Sequence, residues 1–156
     1  ISKAKKYNVY NKNLFFEKPI PKKEMRGCLS AANMAANFVI DIRENWSNSA
    51  NKFFDYLAAG KPIFLNHGGW MQDLVINHNC GLCMHGKPID IVAKKLNSAL
   101  SNESWLISSG NSSINLAKNF FDRNIHAQQL EKVLILTKEN KTNLIDDITN
   151  TFFNYN

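Results

Sequence analysis

The sequence predicts an α/β layered fold, a parallel sheet flanked by helices, on three observations. Short apolar runs recur along the first half of the chain. They do not alternate between apolar and polar residues, and each is followed by a segment with helical spacing. Runs without alternation suit strands buried on both faces, as in a parallel sheet. Strands that alternate with helices across short loops stack into such a layered sheet, with right-handed crossovers.

The apolar runs are Leu14-Phe15-Phe16, Ala36 to Ile40, Ile63-Phe64-Leu65 and Gly81 to Met84. Between the first two, Pro21 opens a helical pattern through Glu24, Met25, Cys28, Leu29 and Ala32, since proline fits the start of a helix. Cys28 falls on that stripe and is expected in the core. A second helix is expected over Asn51 to Ala59, with Asn51 as N-cap, Gly60 just past the end and Pro62 beyond. A short helix follows Gly68-Gly69, over Trp70 to Ile76. From Ile89 the chain reads as helical throughout. One stripe is Ile89, Val92, Ala93, Leu96 and Leu100; a second is Ile114, Leu116, Ala117, Phe120 and Phe121; a third is Ala127, Leu130, Val133 and Leu134. Residues 1–137 are expected to form one domain. Lys138 to Asn143 reads as a polar linker, and Leu144, Ile145, Ile148, Phe152 and Phe153 as one face of an amphipathic helix that packs on a neighbouring domain.

At 156 residues, 44% hydrophobic and 21% charged, the chain can hold a core of its own. It contains no apolar run long enough to span a bilayer. The basic start, Ile1-Ser2-Lys3-Ala4-Lys5-Lys6, is followed by no apolar region and is not a signal peptide. It is read as a cut inside a longer chain. A net charge of +6 suits an anionic ligand, a nucleic acid or an acidic membrane face, although lysine-rich helix surfaces that are simply solvated account for such a charge as well. Nucleic-acid binding needs a basic patch interleaved with aromatics, and the lysines here are scattered. Three cysteines, an odd count, build no secreted disulfide framework and suit a reducing cytoplasm.

Ligands of open parallel sheets sit beyond the carboxyl ends of the strands, so chemistry is expected in the loops after Ile40, Leu65 and Met84. The stretch Ser49-Ala50-Asn51-Lys52-Phe53-Phe54-Asp55 starts a helix where one such loop delivers it. A helix start offers unpaired N–H groups and a partial positive charge, which receive phosphate. Lys52 in that first turn is disfavoured by the helix dipole unless an anion is its neighbour. Asp55, one turn further, is able to accept hydrogen bonds from a sugar or ribose diol. The same two residues also read as a local pair on a helix surface. In Asn66-His67-Gly68-Gly69-Trp70, paired glycines let a backbone approach a ligand, or simply make the turn into the next helix. Trp46 is expected to line the cleft, and Trp70 to pack in the core.

The block Asn51-Lys52-Phe53-Phe54-Asp55-Tyr56-Leu57-Ala58-Ala59-Gly60-Lys61-Pro62-Ile63 is followed by Gly68-Gly69-Trp70, Asp73-Leu74-Val75 and Asn79-Cys80-Gly81-Leu82. Together these resemble the donor-binding domain of GT-B glycosyltransferases of family 4, the retaining group 1 class. Upstream, Phe16 to Met25 resembles the strand and turn of that family before a helix ending at Ala31-Ala32-Asn33, with Phe38-Val39-Ile40 as the next strand. Downstream, Asn115-Leu116-Ala117, Phe120-Phe121-Asp122-Arg123 and Leu130 to Leu134 resemble its terminal helices. The likeness spans Leu14 to Leu134. It implies a Rossmann-like parallel sheet flanked by helices, the C-terminal half of a GT-B fold with extra C-terminal helices.

The resemblance further implies a sugar transferred from a nucleotide-diphosphate sugar to a glycan or lipid-linked acceptor, in bacterial surface polysaccharide biosynthesis, with no metal or other cofactor. Asp55 stands where the family's second acid holds the ribose hydroxyls. Asn51 and Lys52 fall near the diphosphate, with Ser47 and Ser49 in the loop before them. Glu17, Ile20 and Pro21 fall near the base. Gly68 and Gly69 face the donor, with His67 beside donor or acceptor. The family's first Glu, eight positions before the second, is replaced by Ser47, and the second acid is the shorter Asp. The phosphate-clamping Arg and Lys of the family lie upstream of Ile1, and its acceptor domain is a separate half. The implied location is cytoplasmic, with peripheral membrane association open to the full-length protein, and the chain alone is expected to be inactive. The Ser47 departure supports a second reading, a non-catalytic sugar-nucleotide-binding module of the same fold.

His78-Asn79-Cys80-Gly81-Leu82-Cys83-Met84-His85 carries the residue types of a zinc or redox site. On a strand, however, Cys80 and Cys83 point to opposite faces. The stretch therefore reads as small core residues between exposed histidines, and His126 as a surface residue of a late helix.

Overall fold

A computed structural model of the chain describes residues 1–145 and Ile148. Helix α1 (Ser2–Lys6) and helix α2 (Lys22–Ala31) precede strand β1 (Ala35–Asn37) and a 3-10 turn (Arg43–Ser47). Helix α3 (Asn51–Ala58), strand β2 (Ile63–Leu65), helix α4 (Trp70–Asn77) and strand β3 (Gly81–Cys83) complete the alternating part. Helices α5 (Ile89–Leu100), α6 (Glu103–Phe120) and α7 (Arg123–Lys138) follow, with a last 3-10 turn at Thr142–Leu144. The three strands lie side by side in chain order, all parallel, with Ala35 opposite Ile63 and Ile63 opposite Gly81. The chain is thus an α/β protein built on a small parallel sheet.

The core forms around β2, all three of whose residues are buried, as a central parallel strand requires. Phe53 and Leu57 of α3, Met71, Leu74 and Val75 of α4, Cys80 and Leu116 of α6 close over Ile63 and Leu65. The joint between α3 and α6 depends on small residues. Gly60 ends α3 at φ +66°, a left-handed turn that glycine adopts without penalty. A side chain at Gly110 of α6 would stand 2.6 Å from the Gly60 carbonyl oxygen. Beside them the buried Ser113 hydroxyl donates to the Lys61 carbonyl at 2.9 Å, so the turn into β2 is tied directly to α6.

Several expectations are corrected. Leu14-Phe15-Phe16 forms no strand. Leu14 makes only an isolated bridge to Tyr10, and Phe15 and Phe16 are more than half exposed, because no strand of the sheet lies beside them. β1 covers Ala35–Asn37 rather than Ala36 to Ile40 or Phe38 to Ile40. Its partner β2 ends at Leu65, opposite Asn37; beyond that point the Asn66 side chain replaces the ladder, accepting from Val39 N–H at 3.1 Å and donating to its carbonyl at 2.8 Å. Asn51 is the first residue of α3 and not its cap. Ala50 holds the cap position, with no side-chain hydrogen bond. Cys28 is exposed, since α2 buries none of its residues and turns its apolar stripe to a cleft.

His78, His85 and His126 are partly buried rather than exposed. His78 packs on the Phe120 ring, His85 on Trp46, and His126 Nε2 bonds the Phe120 carbonyl oxygen. The stripe of α6 is buried at Leu116, whereas Ile89, Leu130 and Leu134 on α5 and α7 are largely exposed. The amphipathic helix expected through Phe153 lies mostly outside the described residues. Among the described residues no helix is long and apolar enough to cross a membrane.

Candidate functional site

The loops at the carboxyl ends of the strands are tied together around one carboxylate that sequence reading did not single out. Asp41, after β1, accepts from His85 Nδ1 at 2.6 Å and from Trp46 Nε1 at 2.9 Å. The His85 bond joins the loops following β1 and β3, and Trp46 seats on the loop following β2. The His85 bond first, and the Trp46 bond second, hold its carboxyl below the ordinary value of 3.8. Trp46 lies over the paired glycines, where a side chain at Gly68 would meet its ring at 3.1 Å and one at Gly69 would collide with its backbone carbonyl. Gly69 also sits at φ +95°. The glycines here admit Trp46. No signal short of the fold marks Asp41, because its partners come from 5 and 44 positions away.

His67 is fully buried beneath this knot, its Nδ1 2.8 Å from the Gly68 carbonyl oxygen. Cys83 donates to the His67 carbonyl at 3.4 Å, while the Cys80 thiol faces the Leu74 and Val75 carbonyls, and burial pushes its pKa up to about 11. Among the described residues no group of three His, Cys, Asp or Glu side chains is arranged to hold a metal ion. Trp70 packs edge-on to Phe53 and stacks on Phe54, against the core.

Asp55 lies elsewhere, on the exposed side of α3, where three adjoining cavities share it. The largest, about 540 Å³, runs along α2 past Lys22, Arg26 and Leu29. A second, about 380 Å³, is lined by Lys22, Asn51 and Phe54 and reaches Phe121, Arg123 and His126 at the start of α7. A third, about 330 Å³, lies between α3 and the end of α6. All three fall in the range of small-ligand sites. Of the residues expected at a site, Asn51 and Asp55 are therefore brought together. Lys52 is exposed on the same first turn but lines none of these three cavities. Pro21 caps α2 next to Lys22, with Ile20 half-buried and Glu17 exposed in the extended stretch before it. Ser47 turns its hydroxyl back to the Glu44 carbonyl at 3.3 Å, and Ser49 is exposed. Gly68, Gly69 and His67 belong to the strand-end knot instead.

Lys22, Arg123 and His126 were not among the expected residues. One signal was readable. Arg123 directly follows the N-cap Asp122, whose carboxylate accepts from Asn124 N–H at 2.8 Å, and α7 carries no acid in its first turn. A cation in the first turn of a helix is disfavoured by the dipole, as at Lys52, and here the Asp122 cap offsets part of that cost. Compared with known proteins, the chain matches no family model, no curated protein and no solved structure.

Proposed function

We propose that this chain is the donor-binding half of a retaining glycosyltransferase, with a Rossmann-like sheet, and that a nucleotide-diphosphate sugar lies in the cavities around Asp55. The observation that carries this reading is the position of Asp55. An exposed carboxylate stands at the junction of three cavities, beside the start of α3 and beneath a lysine from α2. A carboxylate so placed accepts hydrogen bonds from a vicinal diol, the recognition element of a ribose. Helix starts and cations beside it suit phosphate. The likeness of Asn51 to Ile63 to the family 4 donor block supports the same assignment. On this reading the protein works at the cytoplasmic face in surface polysaccharide synthesis, and transfer requires an acceptor-binding half.

The test is an NMR titration of the chain with UDP, GDP and their sugar conjugates up to millimolar concentration. One nucleotide should bind saturably, and Asp55→Ala should weaken it by about 5- to 150-fold, the equivalent of about 1–3 kcal/mol for hydrogen bonds to a charged group. Absence of saturable binding by every nucleotide, or binding unchanged in Asp55→Ala, would overturn the assignment. The second reading, a binding module without transfer, is favoured by Ser47, whose hydroxyl is turned into its own 3-10 turn. It predicts that the full-length protein binds the nucleotide sugar yet transfers nothing.

A further inference from the structure

The cavity between α2, α3 and α7 holds two basic side chains from elements far apart in sequence. Lys22 opens α2 and Arg123 opens α7, and both line the same space of about 380 Å³ as Asn51 and Asp55. Among the described residues the ion pairs are His85 with Asp41 and Lys141 with Glu139, so neither Lys22 nor Arg123 is ion-paired with a described carboxylate. The nearest acid in sequence, Asp122, has Oδ1 engaged by the N–H groups of Asn124 and Ile125 as the α7 cap. Among the residues lining this cavity Asp55 contributes one negative charge against the two positive ones, and Asp122 lines the adjoining cavity.

The surroundings favour an anion at this point rather than elsewhere in the cavity. α3 starts here with no acid in its first turn and no side-chain cap, so its N–H groups and dipole add to the positive potential, whereas the start of α7 is met by the Asp122 carboxylate. The cavity is also lined by aromatic rings. Phe54 and Phe121 meet edge to face at 5.0 Å, and His126 is held beside them by its bond to the Phe120 carbonyl oxygen at 2.8 Å. Phosphoryl oxygens are matched by the forked guanidinium of Arg123 and the point charge of Lys22.

We infer that Lys22 and Arg123 form a diphosphate-binding subsite, which places the start of the last long helix in the ligand site. This rests on the nucleotide-sugar reading above and adds to it the place where the phosphates are held. It also supplies cations for them from within this chain.

Inorganic pyrophosphate isolates the subsite from the diol contact. Titrated into the chain and followed by calorimetry and NMR, it should bind saturably. Binding should weaken at least tenfold in the double variant Lys22→Gln with Arg123→Gln, and Asp55→Ala should leave it unchanged or tighter. Both cations are exposed, so a thermal melt of the double variant should match the parent. Lys132→Gln, an exposed cation further along α7, serves as the control and should bind pyrophosphate like the parent. Pyrophosphate binding equal in the double variant and the parent, or no saturable binding, would overturn the subsite. If a nucleotide diphosphate still binds with Asp55 dependence in that case, the glycosyltransferase reading stands without it. If pyrophosphate depends on the two cations while no nucleotide depends on Asp55, the subsite stands and that reading falls.

Discussion

The carboxyl ends of the strands and the starts of the helices beside them use polar residues in opposite ways. At the strand ends, Asp41 is bonded to His85 and Trp46, the Asn66 side chain is bonded to the Val39 backbone, and the loops are drawn shut. Around Asp55, a few residues along the same chain, carboxylate, lysine and arginine face open space without ion pairs among the described residues. Hydrogen-bonding capacity already spent inside the protein stabilises it; capacity left open is available to a ligand. The difference separates residues that look alike in sequence. Gly68-Gly69 and Asn51-to-Asp55 both follow strands and both suit a ligand, yet only the second set offers exposed polar side chains, those of Asn51, Lys52 and Asp55.

The sharpest way to break this contrast is to wedge the knot. Gly69→Ala places a Cβ against the Trp46 carbonyl at a backbone angle of φ +95°. It should destabilise the fold by about 2–4 kcal/mol, measured by urea denaturation, through strain and overpacking together. Stability unchanged in that variant would mean that Trp46 does not seat on the glycines. Next in size is Asn66→Ala. It removes both hydrogen bonds to Val39 and should cost about 1–2 kcal/mol. At the open site the same kind of change should leave folding nearly untouched. Asp55→Ala should alter stability by no more than about 0.5 kcal/mol while it weakens nucleotide binding, because its exposed carboxylate makes no hydrogen bond among the described residues. A stability loss as large as that of Asn66→Ala would place Asp55 in the structural class and erase the contrast.

The layered α/β class was legible in the sequence because it depends on local patterns. Ile63-Phe64-Leu65 is a strand as expected, and Gly60 ends α3 as expected, with the positive φ that only glycine takes easily. What failed depended on a neighbour in space. Leu14 to Phe16 has the composition of a strand but no strand beside it, and Cys28 sits on an apolar stripe that nothing covers. β1 stops at Asn37 because its partner stops at Leu65, which the pattern of β1 alone cannot reveal. At the candidate site, Asn51 and Asp55 were readable from their place at a helix start. Lys22 and Arg123 join them only through the packing of α2 and α7 near α3, a convergence of segments 101 positions apart. A cation in the first turn of a helix was the one local clue, and it was read at Lys52 but not at Arg123.

The smallest expected effect bears on the knot's own charge. The folded carboxyl of Asp41 titrates below 3.8 because its charged form is favoured by the bonds from His85 and Trp46. Its contribution to stability is therefore complete above that value and declines as the pH falls through the lower, folded one. In this window the unfolded chain takes up a proton at Asp41 that the folded chain resists, so folding weakens as acid is added. Asp41→Asn cannot ionise, and its stability should fall less steeply than that of the parent below pH 3.8 in urea denaturation series. Equal slopes for the parent and Asp41→Asn would show that the His85 contact carries no charge dependence. The closed character of the strand ends would then rest on Trp46 and the two glycines alone.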